Sequence, residues 1–252
     1  MKRFISDKRF AYILGVILLV ILWQAFSLMV GEQTMVFPGP VSTFEYALYL
    51  LGKPYTYRAI GQTLLRMFSG FGISFVFALL IGTVAGNSLF IEELLKPFMT
   101  TIRAIPTVSL IYLFIVLYGF KNAPMALVIM ICFPIIYEGV KDGIKNVDED
   151  IIKASRVDGA SLFKENIMVR LPLAVPYIVV ALTSSFSLSF KIEIMAEVIT
   201  GSTNLGLGSA ILGARSADPT NMVPIFAYSL IAIVLILIID CISNLIKNIF
   251  KV

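Results

Sequence analysis

Long uncharged apolar stretches set the terms for this chain. No Asp, Glu, Lys or Arg lies between Phe10 and Gly31, and none from Met67 to Ile91. A bilayer core about 30 Å thick needs about 20 apolar residues per helix. Six stretches answer to that length, at about 10–30, 61–89, 98–120, 124–140, 171–200 and 221–246. Only 14% of the residues are charged, against about 25% in a typical soluble domain. Burying this much apolar surface inside a soluble globule of 252 residues is not feasible. The expectation is therefore an all-α, polytopic membrane protein with six transmembrane helices, forming a single domain over 1–252.

Basic residues orient it. With the amino terminus in the cytoplasm, the inner segments are 1–9, about 90–103, 141–170 and the tail after 246. They hold fourteen of the twenty Lys and Arg residues; Lys53, Arg58, Lys121 and Arg215 fall outside. That imbalance places both termini inside. The apolar run after MKRFISDKRF is too long for a signal-peptide core and is read as a retained anchor. FPGPV (Phe37 to Val41) is a rigid break after the first helix, followed by a short amphipathic piece at about 41–51. The YGFKNAP turn divides the third and fourth spans, and the segment 201–220 has the small residues and apolar patch of a re-entrant or surface helix. GTVAG (Gly82 to Gly86) is a small-residue pattern suited to helix packing.

Chemistry is sparse. The chain has no histidine, and its two cysteines, Cys132 and Cys241, sit in apolar blocks as packing residues. No nucleophile stands beside a base, so an intramembrane enzyme is hard to assemble. No phosphate-binding G-x-x-x-x-G-K-[ST] signature occurs, so energy must come from elsewhere. Ionisable residues inside membrane helices usually face a cavity or one another. Four qualify: Arg66 in the second span, and Lys191, Glu193 and Glu197 in FKIEIMAEV of the fifth. Glu193 and Glu197 are four apart and share a helix face, with Arg66 as a counter-charge. These four are the candidate translocation pathway; the plainer alternative is that the helix end, with Glu197, already lies among headgroups.

The loop 141–171 is the most informative part. Asp148, Glu149 and Asp150 suit a helix start. Ile152, Lys153, Ala154, Ser155 and Val157 follow, Asp158-Gly159 stops the helix, and Ala160, Leu162 and Phe163 form a second apolar face before Leu171-Pro172 restarts a helix. Such a segment is either a solvated connector or a docking helix.

These residues carry a resemblance. Lys153-Ala154-Ser155, three residues, Gly159, nine residues, then Val169-Arg170-Leu171-Pro172 is similar to the Glu-Ala-Ala…Gly…Ile-x-Leu-Pro motif of inner-membrane permeases of binding-protein-dependent ABC importers. FPGPV, TIRAIPTVSLIYLFIVLYG, MAEVITG and GLG resemble the nitrate/sulfonate/taurine-type branch, so the likeness spans nearly the whole chain. It implies a type I importer permease of MetI-like architecture in the bacterial cytoplasmic membrane. The loop would be a coupling helix seated on a separate ABC ATPase, with a substrate-binding protein docked outside near FPGPV and GSTNLGLG, and a second permease copy completing the pore. ATP and Mg would be bound by the ATPase, with no cofactor in this chain and no nucleic-acid partner. The implied substrate is a small anionic or heterocyclic solute: nitrate, a sulfonate or taurine, or a vitamin precursor. Lys153 departs from the family pattern, which has glutamate there; the expectation is an acidic residue on the ATPase, or no direct contact. The rival is an ion-gradient-driven secondary transporter, which calls for internal repeats and broken helices at the midplane; neither is evident in the sequence.

Overall fold

The computed structural model describes residues 8–31, 36–201 and 205–250. The basic stretch up to Asp7, Ser202 to Asn204 of the GSTNLGLG segment, and Lys251 lie outside the described residues. The helices are α1 (Lys8–Val30), α2 (Pro40–Leu51), α3 (Pro54–Asn87), α4 (Leu89–Ala104), α5 (Thr107–Lys145), α6 (Glu149–Val157), α7 (Leu162–Glu165), α8 (Leu171–Thr200), α9 (Leu207–Ala217) and α10 (Val223–Ile249), with a π-helical turn at Asn166–Arg170 before α8. Among the described residues there is no strand.

Proline sets several starts. Pro40, Pro54, Pro172 and Pro224 fall in the first turns of α2, α3, α8 and α10, where the missing N–H is not needed. This is why α3 begins at Pro54, two turns before the expected 61. Apolarity marks the membrane-embedded part of a helix, and the proline marks its end.

Five stretches are long and apolar enough to cross a bilayer: Phe10–Val30, Pro54–Asn87, Thr107–Lys145, Leu162–Thr200 and Val223–Ile249. The third of these contains a reversal. Gly119 sits at φ 74° and ψ 168° inside α5, a left-handed conformation that glycine tolerates and most residues do not. Leu110 and Ile131 line one cavity, although a straight helix would hold them about 31 Å apart. The arms 107–118 and 120–145 therefore fold back on each other at the expected YGFKNAP turn. The expected third span, 98–120, is not one helix. Ile105 and Pro106 are extended, because a proline disfavours helical geometry in the residue before it. The span is assembled from the end of α4 and the first arm of α5, an arrangement compatible with six crossings. Arg103 ties the two sides of this break to the second arm, donating from Nη2 to the Pro134 carbonyl at 2.7 Å.

The core lies where α3, the second arm of α5 and α8 meet. Glycines set the spacing. A Cβ on Gly82 would come within 2.9 Å of Val140, and one on Gly86 within 2.6 Å of Ile144. Both pairs are four residues apart, so a Gly-x-x-x-Gly face meets a β-branched face in register. Gly143 is likewise pressed on Ala174 of α8. GTVAG is thus a packing device, as its pattern implied. Cys132 is buried in this core, whereas Cys241 is exposed on the protomer.

At the outer ends α1 and α10 clasp the FPGP break. Trp23 Nε1 donates to the Pro38 carbonyl at 3.0 Å and Ser27 Oγ to the Phe37 carbonyl at 2.9 Å. The Phe37 ring lies between Phe26 and Phe226, at 4.9 and 5.3 Å. Pro38 and Gly39 are buried and Val36 and Val41 on either side are exposed, so this break is an internal joint flanked by exposed apolar residues.

The glycine contacts give a direct test. Gly86→Ala is expected to destabilise the fold by about 1–3 kcal/mol through overpacking. Gly72→Ala, on the same helix with open space around it, is expected to leave stability unchanged. Thermal unfolding of the two variants in detergent micelles measures the difference.

Candidate functional site

The loop between α5 and α8 is built from local rules. Asp148 caps α6, its Oδ1 accepting from the Asp150 N–H at 2.8 Å, and Glu149 and Asp150 place negative charge in the first turn, where the helix dipole favours it. At the other end Gly159 adopts φ 80°. The Ala160 N–H donates to the Ser155 carbonyl and the Gly159 N–H to that of Arg156, the paired bonds of a Schellman termination. Ser161 then caps α7.

One carboxylate joins these pieces. Glu165 is 1% exposed and accepts from Arg156 Nε at 2.7 Å and Arg170 Nε at 2.8 Å. Arg156 lies in the last turn of α6, and Arg170 immediately precedes α8. The π-helical turn, with its five-residue register, brings Arg170 back to Glu165. Asn87, at the end of α3, adds a tie, donating from Nδ2 to Asn166 Oδ1 at 2.6 Å. Sequence reasoning singled out neither Glu165 nor its two arginines; their signal was an Arg-Glu-Arg series in a segment otherwise valued for its small residues.

The predicted loop residues fall on two sides. Ile152 is buried and anchors α6, and Leu171 is half-buried at the head of α8. Lys153, Ala154, Val157, Asp158, Gly159, Leu162, Phe163 and Pro172 are exposed, with Ser155 and Ala160 intermediate. Val157 is 87% and Phe163 74% exposed, an apolar face on a polar loop. Lys153 pairs within its own helix, at 3.2 Å from Asp150 and 3.6 Å from Glu149; exposed pairs of this kind contribute little. Nearby, Lys145 and Lys141 lie 2.7 and 3.5 Å from Glu92 of α4. The hydrogen bond from Lys145 holds the Glu92 carboxyl below its usual range.

The four intramembrane candidates divide three to one. Arg66 donates from Nε to Glu193 Oε1 at 2.9 Å and from Nη2 to Glu197 Oε1. Both carboxylates are 0% exposed, so Glu197 is paired inside the bundle. Thr63 Oγ1 donates to Glu197 at 2.9 Å and accepts from the Leu207 N–H at 2.9 Å. The Gly208 N–H donates to Glu197 Oε2 at 2.8 Å, and Arg66 Nη2 reaches the Leu205 carbonyl at 2.8 Å. The network therefore fastens α3, α8 and the start of α9 together. It also accounts for GLG. A Cβ on Gly206 would strike the Glu197 carboxylate, and one on Gly208 its Cβ. Both glycines are buried.

Lys191 stands apart, exposed on α8 and without an ion-pair partner among the described residues. It continues a stripe of exposed positions, Tyr177, Val180 and Ser184. A second acidic group was missed in the sequence. Asp240 is the lone charge in 221–246, and it accepts a hydrogen bond from Ser187 Oγ of α8.

The chain belongs to the family of binding-protein-dependent transport system inner membrane components, whose model matches residues 74–249. It is a permease subunit of an ABC importer. It is 29% identical over 224 residues to the putative aliphatic sulfonates transport permease protein SsuC of Bacillus subtilis, covering 86% of this chain and 79% of the relative. It is 27% identical over 213 residues to the nitrate import permease protein NrtB of Synechocystis, covering 80% and 76%. It is also 27% identical over 214 residues to the bicarbonate transport system permease protein CmpB of Synechococcus elongatus, covering 79% and 75%. The inward-facing MetNI methionine ABC transporter shares its fold, with a TM-score of 0.67 at 20% identity, covering 81% of this chain and 97% of that one.

The buried network makes a clear prediction. Removing one partner of a buried pair leaves an uncompensated charge, at a cost of about 3–5 kcal/mol. Arg66→Gln is expected to abolish recovery of folded permease from membranes, whereas Lys191→Gln is expected to fold normally; size-exclusion profiles of the two variants separate these outcomes.

Proposed function

We propose that this permease passes a small inorganic or organic anion, driven by a separate ATPase that docks on α6. The observation that carries this reading is the Glu165 clamp. Through it the last turn of α6 is bonded to the residue preceding α8, and α8 is the helix that presents Lys191. A push on α6 is thereby a push on the helix that lines the path.

Each part has a physical role. Ala154, Ser155 and Gly159 allow close approach of a partner surface, and Val157, Leu162 and Phe163 supply apolar area that water would otherwise cover. ATP and Mg belong to the ATPase. Among the intramembrane basic groups, Arg66 is consumed by Glu193 and Glu197, so it holds the bundle and does not contact substrate. Lys191 is the cation left for a passing anion. Sulfonate, nitrate and bicarbonate in the relatives' names share one negative charge at neutral pH, which fits a single lysine. A second copy completes the pore, an extracytoplasmic binding protein delivers the substrate, and both termini face the cytoplasm.

Two measurements test the coupling. Ala154→Cys is expected to cross-link to a cysteine placed in the docking cleft of the cognate ATPase; failure under every nucleotide condition sinks the assignment of α6. In the reconstituted complex, Glu165→Gln is expected to lower transport several-fold relative to ATP hydrolysed, because α6 then moves without α8. An unchanged ratio overturns the clamp's role.

Lys153 offers a separate test. An acidic partner on the ATPase predicts that Lys153→Glu weakens assembly and that a matching acid-to-lysine change on the ATPase restores it. If Lys153→Glu leaves ATPase coupling unchanged, the pairing does not exist.

A further inference from the structure

The transmembrane charges do not balance by the Arg66 network alone. That network holds one guanidinium and two carboxylates. Outside it stand Lys191 on α8 and Asp240 on α10. Each lies within an apolar helix, where an unpaired charge is costly and normally finds a partner or a water-filled cavity.

Their placement relates them. Ser187 Oγ donates to Asp240 Oδ1, which fixes the Asp240 carboxylate against that turn of α8. Lys191 follows Ser187 by four residues, and helix residues four apart share a face with Cβ atoms about 5–6 Å apart. The lysine stem is long and flexible, and Lys191 is exposed with no ion-pair partner among the described residues. Its ammonium can therefore swing one turn down its own helix onto the carboxylate that Ser187 already holds. No charge on the network competes for it, because Glu193 and Glu197 are fully buried against Arg66. The exposed positions of α10 before Asp240 are Ile233, Val234, Leu237 and Ile238, all apolar, and Asn244 is exposed one turn beyond it, so Asp240 is the one charge there.

We infer that Asp240 is the resident counter-ion of Lys191, and that a transported anion displaces it. The pair is open in the protomer; in the resting state with the path empty, Lys191 has swung onto Asp240. When an anion arrives, the ammonium turns to it while Ser187 keeps the freed carboxylate solvated. Asp240 then sets how strongly an anion must bind to win the lysine, which makes it a specificity-determining residue. This rests on the reading that Lys191 faces the path.

A double-mutant cycle on the purified permease in nanodiscs tests the pairing. Lys191→Met and Asp240→Asn are each expected to lower the thermal midpoint, and the double variant to lose no more than the worse single one. Additive losses overturn the counter-ion assignment. Titration with nitrate, methanesulfonate or bicarbonate tests displacement. At least one anion is expected to raise the wild-type midpoint. The Asp240→Asn variant is expected to respond at a several-fold lower concentration, and Lys191→Met not to respond. A coupled pair with no response to any of the three anions overturns displacement and the anionic-substrate reading together. An uncoupled pair with a Lys191-dependent response overturns the Asp240 assignment and leaves that reading standing.

Discussion

The junction of α3, α8 and α9 depends on one guanidinium. Arg66 brings a positive charge to two carboxylates that no water reaches. Desolvating such groups costs several kcal/mol each even after relaxation, so the network survives because three of the four carboxylate oxygens are paired, Glu193 Oε2 alone standing without a partner. The pairing comes from three separate chain segments: Thr63 and Arg66 from α3, Glu193 and Glu197 from α8, and the Leu205 to Gly208 backbone. The apolar surfaces of these helices cannot specify that register, because lipid tails suit them equally well. The ionic network does. It also forces the two glycines of GLG, since any side chain there would occupy the space of the carboxylate.

The loop between α5 and α8 uses the same chemistry for a different purpose. Glu165 again takes two arginines, but Arg156 remains half exposed, so the joint stays near water. A buried network is rigid because opening it strands charges; a joint at the water boundary can be loaded and unloaded at lower cost. Between the two lies the glycine-spaced core of α3, α5 and α8, whose close fit transmits displacement without absorbing it.

Much of this was legible in the residues. The helical class, the YGFKNAP turn, the loop's small face and the grouping of Arg66 with Glu193 and Glu197 followed from spacing and charge. The break at Ile105-Pro106 was not anticipated, because hydropathy is blind to a proline lying inside an apolar run. Gly206 and Gly208 look like loop residues until Glu197 is placed against them. Glu165 was passed over because a charged residue in a charged loop carries no signal until its burial is known. Asp240 failed differently: a lone carboxylate in an uncharged stretch is visible in the sequence, but its meaning depends on which turn of α8 stands opposite.

The way α6 is finished has a consequence for how such subunits diversify. Its cap, its glycine stop, its re-entry at Ser161 and its brace on Glu165 are all supplied between Asp148 and Pro172. The segment carries its own fold instructions and borrows little beyond Asn87 from the bundle. It is a cassette. The exposed face of that segment, Lys153 included, can be redrawn without touching the helices it joins, and those helices can be reshaped without disturbing it.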